Sequence, residues 1–273
     1  MGTWGVGVYS NDDAQDLRTA IRAVCQLPYG GDELIELLAE LNPEVRDPKN
    51  EGHATFWLVV ADQFQRRGIR SLARERALEI IAAGTDLAML AALGMTDADL
   101  RKRERLLAAL ADELQSPPPD KPRKTLKKPQ PVLFGAGDVL AYRIDDSGNC
   151  RNPYLTDPVL ANFTPVGWDG CVIVASGLAL EYLSWYQIAP TRAPWHDRPT
   201  LAQVVARITP ARAAVGTMSK SHVARMGLEL LGNSEPPKVP FPSKGLLVST
   251  TAQDIGAANV LSRWLGERKV NIE

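Results

Sequence analysis

Six prolines (Pro117, Pro118, Pro119, Pro122, Pro129 and Pro131) fall within the fifteen residues 117–131, and no other feature limits the folding of this chain so sharply. Each proline fixes φ and removes a backbone donor, so neither a helix interior nor a central strand runs through such a segment. The spacing predicts an extended linker, about 45 Å long if fully stretched as polyproline II at ~3.1 Å per residue. It divides the 273 residues into a first body, 1–116, and a second, 132–273.

Charge follows the same division. The first body carries 13 Lys/Arg against 19 Asp/Glu, the linker five cations against one acid, and the second body 13 against 12. The total of −1 thus conceals an acidic body and a basic joint. Three cysteines, Cys25, Cys150 and Cys171, are too few and too scattered for an oxidised scaffold and suit a reducing compartment. No apolar run approaches the ~18 residues of a membrane span. The opening residues carry neither a basic n-region nor an apolar h-region, so the expectation is a cytoplasmic protein without a secretory leader.

In the first body the apolar residues recur at helical spacing. Asn11, Asp12 and Asp13 open a helix whose Leu17, Ile21 and Val24 share one face. Asp32 is placed to cap a second helix carrying Leu34 to Leu41, which stops before Asn42-Pro43. Phe56 to Phe64 mark a third, closed by Arg66-Arg67-Gly68. Ser71 starts a fourth that ends near Gly84, and Thr96 or Asp97 starts a fifth carrying Leu100 to Leu114. Amphipathic helices joined by short turns hide their stripes against one another, which predicts a helical bundle.

The second body reads as strands and helices. Strands are expected at 139–144, 171–175, 183–188 and 246–250, with helices at 201–208, 219–231 (capped by Gly232) and about 253–265. The fold class is therefore α+β: an N-terminal helical bundle followed by a smaller C-terminal α+β unit with an antiparallel, curled sheet.

The opening Met1-Gly2-Thr3-Trp4-Gly5-Val6-Gly7, followed by Asn11-Asp12-Asp13-Ala14 and Asp16, resembles a bacterial family of unknown function whose members begin M-G-x-W-G-x-G and continue N-D-x-A-x-D. The pattern from Trp57 through Arg76-Ala77-Leu78 to Gly84-Thr85-Asp86-Leu87, and Gly137 to Arg143 beyond the basic joint, is similar to longer members. Some such proteins look like immunity or antitoxin partners of toxins, and the resemblance implies that role here.

Candidate chemistry is sparse. Asp12, Asp13 and Asp16 form a carboxylate cluster and are candidates for contact with a basic partner; as a metal site they fall short, since only Asp12 and Asp16 share a helical face and N-capping accounts for the group. The glycines around Trp4 lack the strand and the lysine or acid that a phosphate loop needs. His53, His196 and His222 are the only histidines, in no metal-ligand spacing, so neither metal nor cofactor is expected. Tyr182, Trp185 and Tyr186 are candidate anchors for a partner, as are Trp195 and His196, unless they belong to a sheet core.

These observations favour a non-enzymatic protein-interaction module, of the immunity type, whose acidic helical body meets a basic toxin. A first alternative is a nucleic-acid-associated module using Lys121, Arg123, Lys124, Lys127 and Lys128, although no aromatic interleaves with them and a solvated spacer explains the run. A second alternative is an enzyme with His196, Asp197 and Cys171 converging in one pocket.

Overall fold

A computed structural model of the chain describes residues 5–120, 123–144, 167–191 and 195–241. The fold is α+β, with helices first and a five-stranded, open antiparallel sheet C-terminal to them. The chain divides into two compact units, Met1–Lys127 and Lys128–Glu273. The division falls inside the proline-rich segment.

The first unit holds α1 (Asp12–Val24), α2 (Gly31–Leu41), a 3-10 turn (Pro43–Arg46), α3 (Gly52–Gln65), α4 (Ala73–Ala83), α5 (Thr85–Ala92) and α6 (Asp97–Gln115). α3 is the hub and packs against α1, α4, α5 and α6. Its sequence explains the position: Phe56, Leu58, Val59, Val60, Ala61 and Phe64 are all buried, an apolar surface on most sides rather than one stripe. The flanking helices are amphipathic and turn Leu17, Ile21, Leu34, Leu38, Leu107 and Leu114 inward.

Local caps set the helix starts. The Asn11 side chain accepts from Ala14 N at 2.6 Å, and Thr96 accepts from Asp99 N at 3.2 Å. Asp32 does not cap α2. Glu33 Oε2 accepts from Gly30 N at 2.6 Å at that helix start, while Asp32 reaches forty residues along the chain to Leu72 N at 2.8 Å, just before α4. The short α5 is absent from the sequence-based expectation. Gly84 takes a left-handed conformation (φ 66°), so the chain turns sharply and restarts a helix without an intervening loop.

A buried ion pair locks this arrangement. Arg103 on α6 donates through Nε and Nη2 to both oxygens of Asp86 on α5, each at 2.8 Å, with side chains 5% and 4% exposed. Its Nη1 reaches the carbonyl of Val6 at 3.2 Å and ties the glycine-rich opening to the bundle.

In the second unit the strands are β1 (Asp138–Ile144), β2 (Gly167–Ala179), β3 (Leu183–Pro190), β4 (Ala214–Thr217) and β5 (Glu229–Asn233), ordered β4-β3-β2-β1-β5. α7 (Leu201–Ala206) and α8 (Lys220–Met226) complete it. One cluster joins Leu140, Tyr142, Cys171, Ile173, Tyr186 and Ile188 to Met226 of α8. A second, on alternate residues of the same strands, joins Val139 and Val172 to Trp195 and to Val204 of α7. The sheet is thus covered on both faces.

The helix expected over 219–231 is two elements. Gly227 ends α8 in a left-handed conformation (φ 61°), and 229–233 pairs with β1 as β5, so Gly232 lies in a strand and not at a helix cap. The four-residue β4 is too short to show an alternation. The expected strand at 246–250, the helix near 253–265 and Cys150 lie outside the described residues.

Candidate functional site: an arginine-lined cleft

The first unit contains a cleft of about 500 Å³ whose walls bring together Arg22, Cys25, Arg66, Arg67, Arg123 and Lys124. Among the described residues Gln26 and Pro119 complete the lining, which includes five cations and no carboxylate. Three stretches distant in sequence build it. Arg22 and Cys25 come from the end of α1, Arg66 and Arg67 from the end of α3, and Arg123 and Lys124 from the proline-rich segment.

Helix geometry puts the first two sets there. Cations are favoured at helix C-termini, where the backbone dipole is negative, and the two helices pack on each other. α1 shows the polarity clearly: Asp12, Asp13 and Asp16 occupy its first turns and Arg22 its last.

The third set is held by backbone carbonyls. Arg123 Nη2 donates to the carbonyls of Leu27 at 3.1 Å and Tyr29 at 2.6 Å, and Leu126 N donates to the carbonyl of Gln26 at 2.8 Å. This part of the expected free linker is therefore docked on the helical unit. Arg123 Nη1 is buried with no oxygen acceptor, and the guanidinium stands beside the Cys25 thiol.

The cations differ in how far they are neutralised. Arg66 donates through Nε and Nη2 to Asp62 Oδ1 at 2.9 and 2.8 Å and lies 3.8 Å from Glu113. The other oxygen of buried Asp62 accepts from the Tyr9 hydroxyl and, at 3.0 Å, from the Gln63 amide. Burial first, and donation to Asp62 second, push the Tyr9 hydroxyl well above its ordinary pKa. Arg67 binds only Gln63 among the described groups, through its backbone and side-chain oxygens at 2.9 and 2.7 Å. Arg22 feels desolvation first, then the like charges of Arg18 and Arg67, and its pKa is lowered. Cys25 forms an uncharged floor. Burial raises its thiol pKa even though Arg67 and Arg123 stand close enough to pull it down.

The sequence-predicted residues lie elsewhere, Arg123 and Lys124 excepted. Asp12, Asp13 and Asp16 are exposed. Burial, then Asp13 and Asp12, raise the pKa of Asp16. Tyr186, a candidate anchor with the sheet core as its alternative, is a core residue at 0% exposure, with its hydroxyl accepting from Leu133 N at 2.8 Å. Trp195 is likewise corrected: it packs in the Val139–Val172–Val204 cluster with the Arg207 guanidinium 4.7 Å above its ring. The sheet faces decide both cases, because neither side chain reaches solvent. Tyr182 and Trp185 are half-buried, and Trp185 meets the exposed Phe241 edge-on at 5.2 Å.

His196 and Asp197 sit 3.4 Å apart with side chains 90% and 98% exposed. Cys171 points into the opposite face of the sheet from neighbouring Trp195, fully buried, with burial pushing its thiol to about 12. The three do not converge, which removes the proposed catalytic pocket. Of the five linker cations, Arg123 is held by carbonyls, Lys124, Lys127 and Lys128 are exposed, and Lys121 lies outside the described residues. Among the described residues no group of three His, Cys, Asp or Glu could hold a metal, and no helix is long and apolar enough to cross a membrane.

Comparison of the chain with protein-family models, with curated proteins and with solved structures found no match in any of the three.

Proposed function

We propose that the protein is a non-enzymatic recognition module that binds a protein partner through the arginine-lined cleft of its helical unit. The supporting observation is the gathering of five cations around one cleft, of which only Arg66 meets a carboxylate among the described residues. Like charges are held together against their mutual repulsion, and an anionic group on a partner relieves that cost. The sign is opposite to the one that the total charge of the helical body suggests. Its summed charge is acidic, whereas this cleft is basic.

An immunity-type neutraliser of a bacterial toxin is the specific form of this reading that the opening motif favours. The partner would then present acidic side chains to Arg22, Arg67 and Arg123. Nucleic acid is the competing anion. It gains less support because no aromatic among the described residues lines the cleft for base stacking.

Capture from the native cell, followed by binding kinetics at increasing salt, tests the reading. The expected result is one protein partner whose association slows as salt rises and whose affinity falls at least about tenfold when Arg22 and Arg67 are both changed to Gln. A partner indifferent to that double change, or recovery of nucleic acid alone, overturns it.

A further inference from the structure

The cleft has a chemical preference finer than its charge. We infer that it takes a tetrahedral dianionic oxyanion of the phosphate-monoester class, with its oxygens held among Arg22, Arg67 and Arg123. This rests on the cleft being an anion-recognition surface, and it goes on to name the group recognised.

Three observations carry the inference. The first is a cation fixed in place. Two carbonyl hydrogen bonds hold the Arg123 guanidinium through Nη2, and the Cys25 thiol stands beside it. A guanidinium already fixed presents its charge to the cleft at no further ordering cost. The second is the charge surplus. With Arg66 assigned to Asp62, four cations remain on the cleft, and nothing acidic lines it among the described residues. A carboxylate brings one charge to that surplus; a phosphate monoester brings nearly two, and three acceptor oxygens in addition. The third is the lining itself. About 500 Å³ is room for an ester and its first attached atoms, and no aromatic among the described lining residues offers a platform for a base.

The Cys25 floor fits binding and not turnover. The thiol is 5% exposed and uncharged, so it provides close packing under the anion without a nucleophile. The same chemistry is offered by inorganic phosphate and by a phosphorylated side chain on a protein, and the two are separable by experiment.

Calorimetric titration of the full chain at fixed ionic strength, with chloride as the balancing salt, decides the matter. The probes are inorganic phosphate, a short peptide with one phosphoserine, the same peptide with serine, and a single-stranded oligonucleotide. Expected are binding of phosphate and of the phosphopeptide and none of the serine peptide. R22Q and R67Q should each weaken binding about tenfold, and R76Q, on the exposed Arg76–Glu79 pair of α4, should leave it unchanged. Tighter binding of the phosphopeptide than of inorganic phosphate identifies a protein source; equal affinity identifies a free one.

The assignment is overturned if phosphate binds no better than chloride, if R22Q and R67Q bind as wild type does, or if the oligonucleotide binds most tightly. Should R123Q fail to fold, R22Q still decides, because Arg22 is exposed and holds no other element in place. If phosphate fails while the Arg22 and Arg67 changes still abolish partner capture, the phosphate assignment falls and the protein-partner reading survives.

Discussion

Arg103 and Arg67 lie in the same helical unit and have been put to opposite uses. Arg103 is 4% exposed, forked onto both oxygens of Asp86 and bonded to the carbonyl of Val6. Arg67 lies beside Arg22 and Arg123 at the mouth of a cleft, bonded only to Gln63 among the described groups. A guanidinium whose donors are consumed by the protein holds the fold together. One held rigid with donors left over waits for something else. Charge counting cannot separate the two, since each contributes the same +1.

Four measurements sharpen or break the contrast. The largest effect belongs to the committed pair. Asp86→Ala leaves a buried cation without its partner and should cost about 3–5 kcal/mol in denaturant unfolding. Replacing both partners, Asp86→Leu with Arg103→Met, should recover most of that loss, because an apolar pair of similar volume carries no desolvation penalty. A double variant as unstable as Asp86→Ala alone would show that the link to Val6, and not the ion pair, holds the bundle.

Next comes Arg66, intermediate between the two kinds. Asp62→Asn removes the carboxylate shared by Tyr9 and Arg66 and should cost about 1–3 kcal/mol. It should also bring the Tyr9 hydroxyl back toward its ordinary value, as read by ultraviolet titration of the phenol. Retention of the raised value would assign the shift to burial alone.

The third is the pH dependence of stability on the alkaline side. The folded-state pKa of Tyr9 lies above its ordinary 10.0, so its contribution is complete below that pH and is lost as pH rises beyond it. Unfolding midpoints measured from pH 8 upward should fall above pH 10 in the wild type, and less so in Tyr9→Phe. The smallest effect belongs to the uncommitted arginines. Arg22→Gln should change stability by no more than about 0.5 kcal/mol, in the stabilising direction if repulsion from Arg18 and Arg67 is felt. A large loss there would make Arg22 a structural residue and weaken the case for a binding cleft.

Most of the helical unit is legible in the sequence. Leu17, Ile21 and Val24, or Leu107, Leu110 and Leu114, advertise their helices through spacing, and Asn11 and Thr96 announce the starts. What escaped lies where one glycine changes the outcome. The sequence places a helix end near Gly84 but not the restart as α5 directly after it, and it runs a helix through Gly227, whose left-handed conformation ends α8. In the sheet unit, alternation marked the central strands but gave no sign of β4, whose four residues owe their conformation to pairing with β3.

The cleft escaped for a different reason. Its cations are separated by more than forty residues from α1 to α3, and by more than fifty from α3 to the proline-rich segment. Each also has a plain local explanation. Arg66-Arg67 before Gly68 reads as a helix end, and Arg123 as one of several solvated linker charges. The one available signal was that two helices of a bundle both end in arginines. That signal becomes informative only when the ends are known to meet.

One wall of the cleft is furnished by residues that look dispensable. A fragment cut after α6, where the sequence invites a tidy boundary, would keep every helix of the first unit and the buried Asp86–Arg103 link. It would also lack one wall of the cleft, because Arg123 and Lys124 would have gone with the discarded tail.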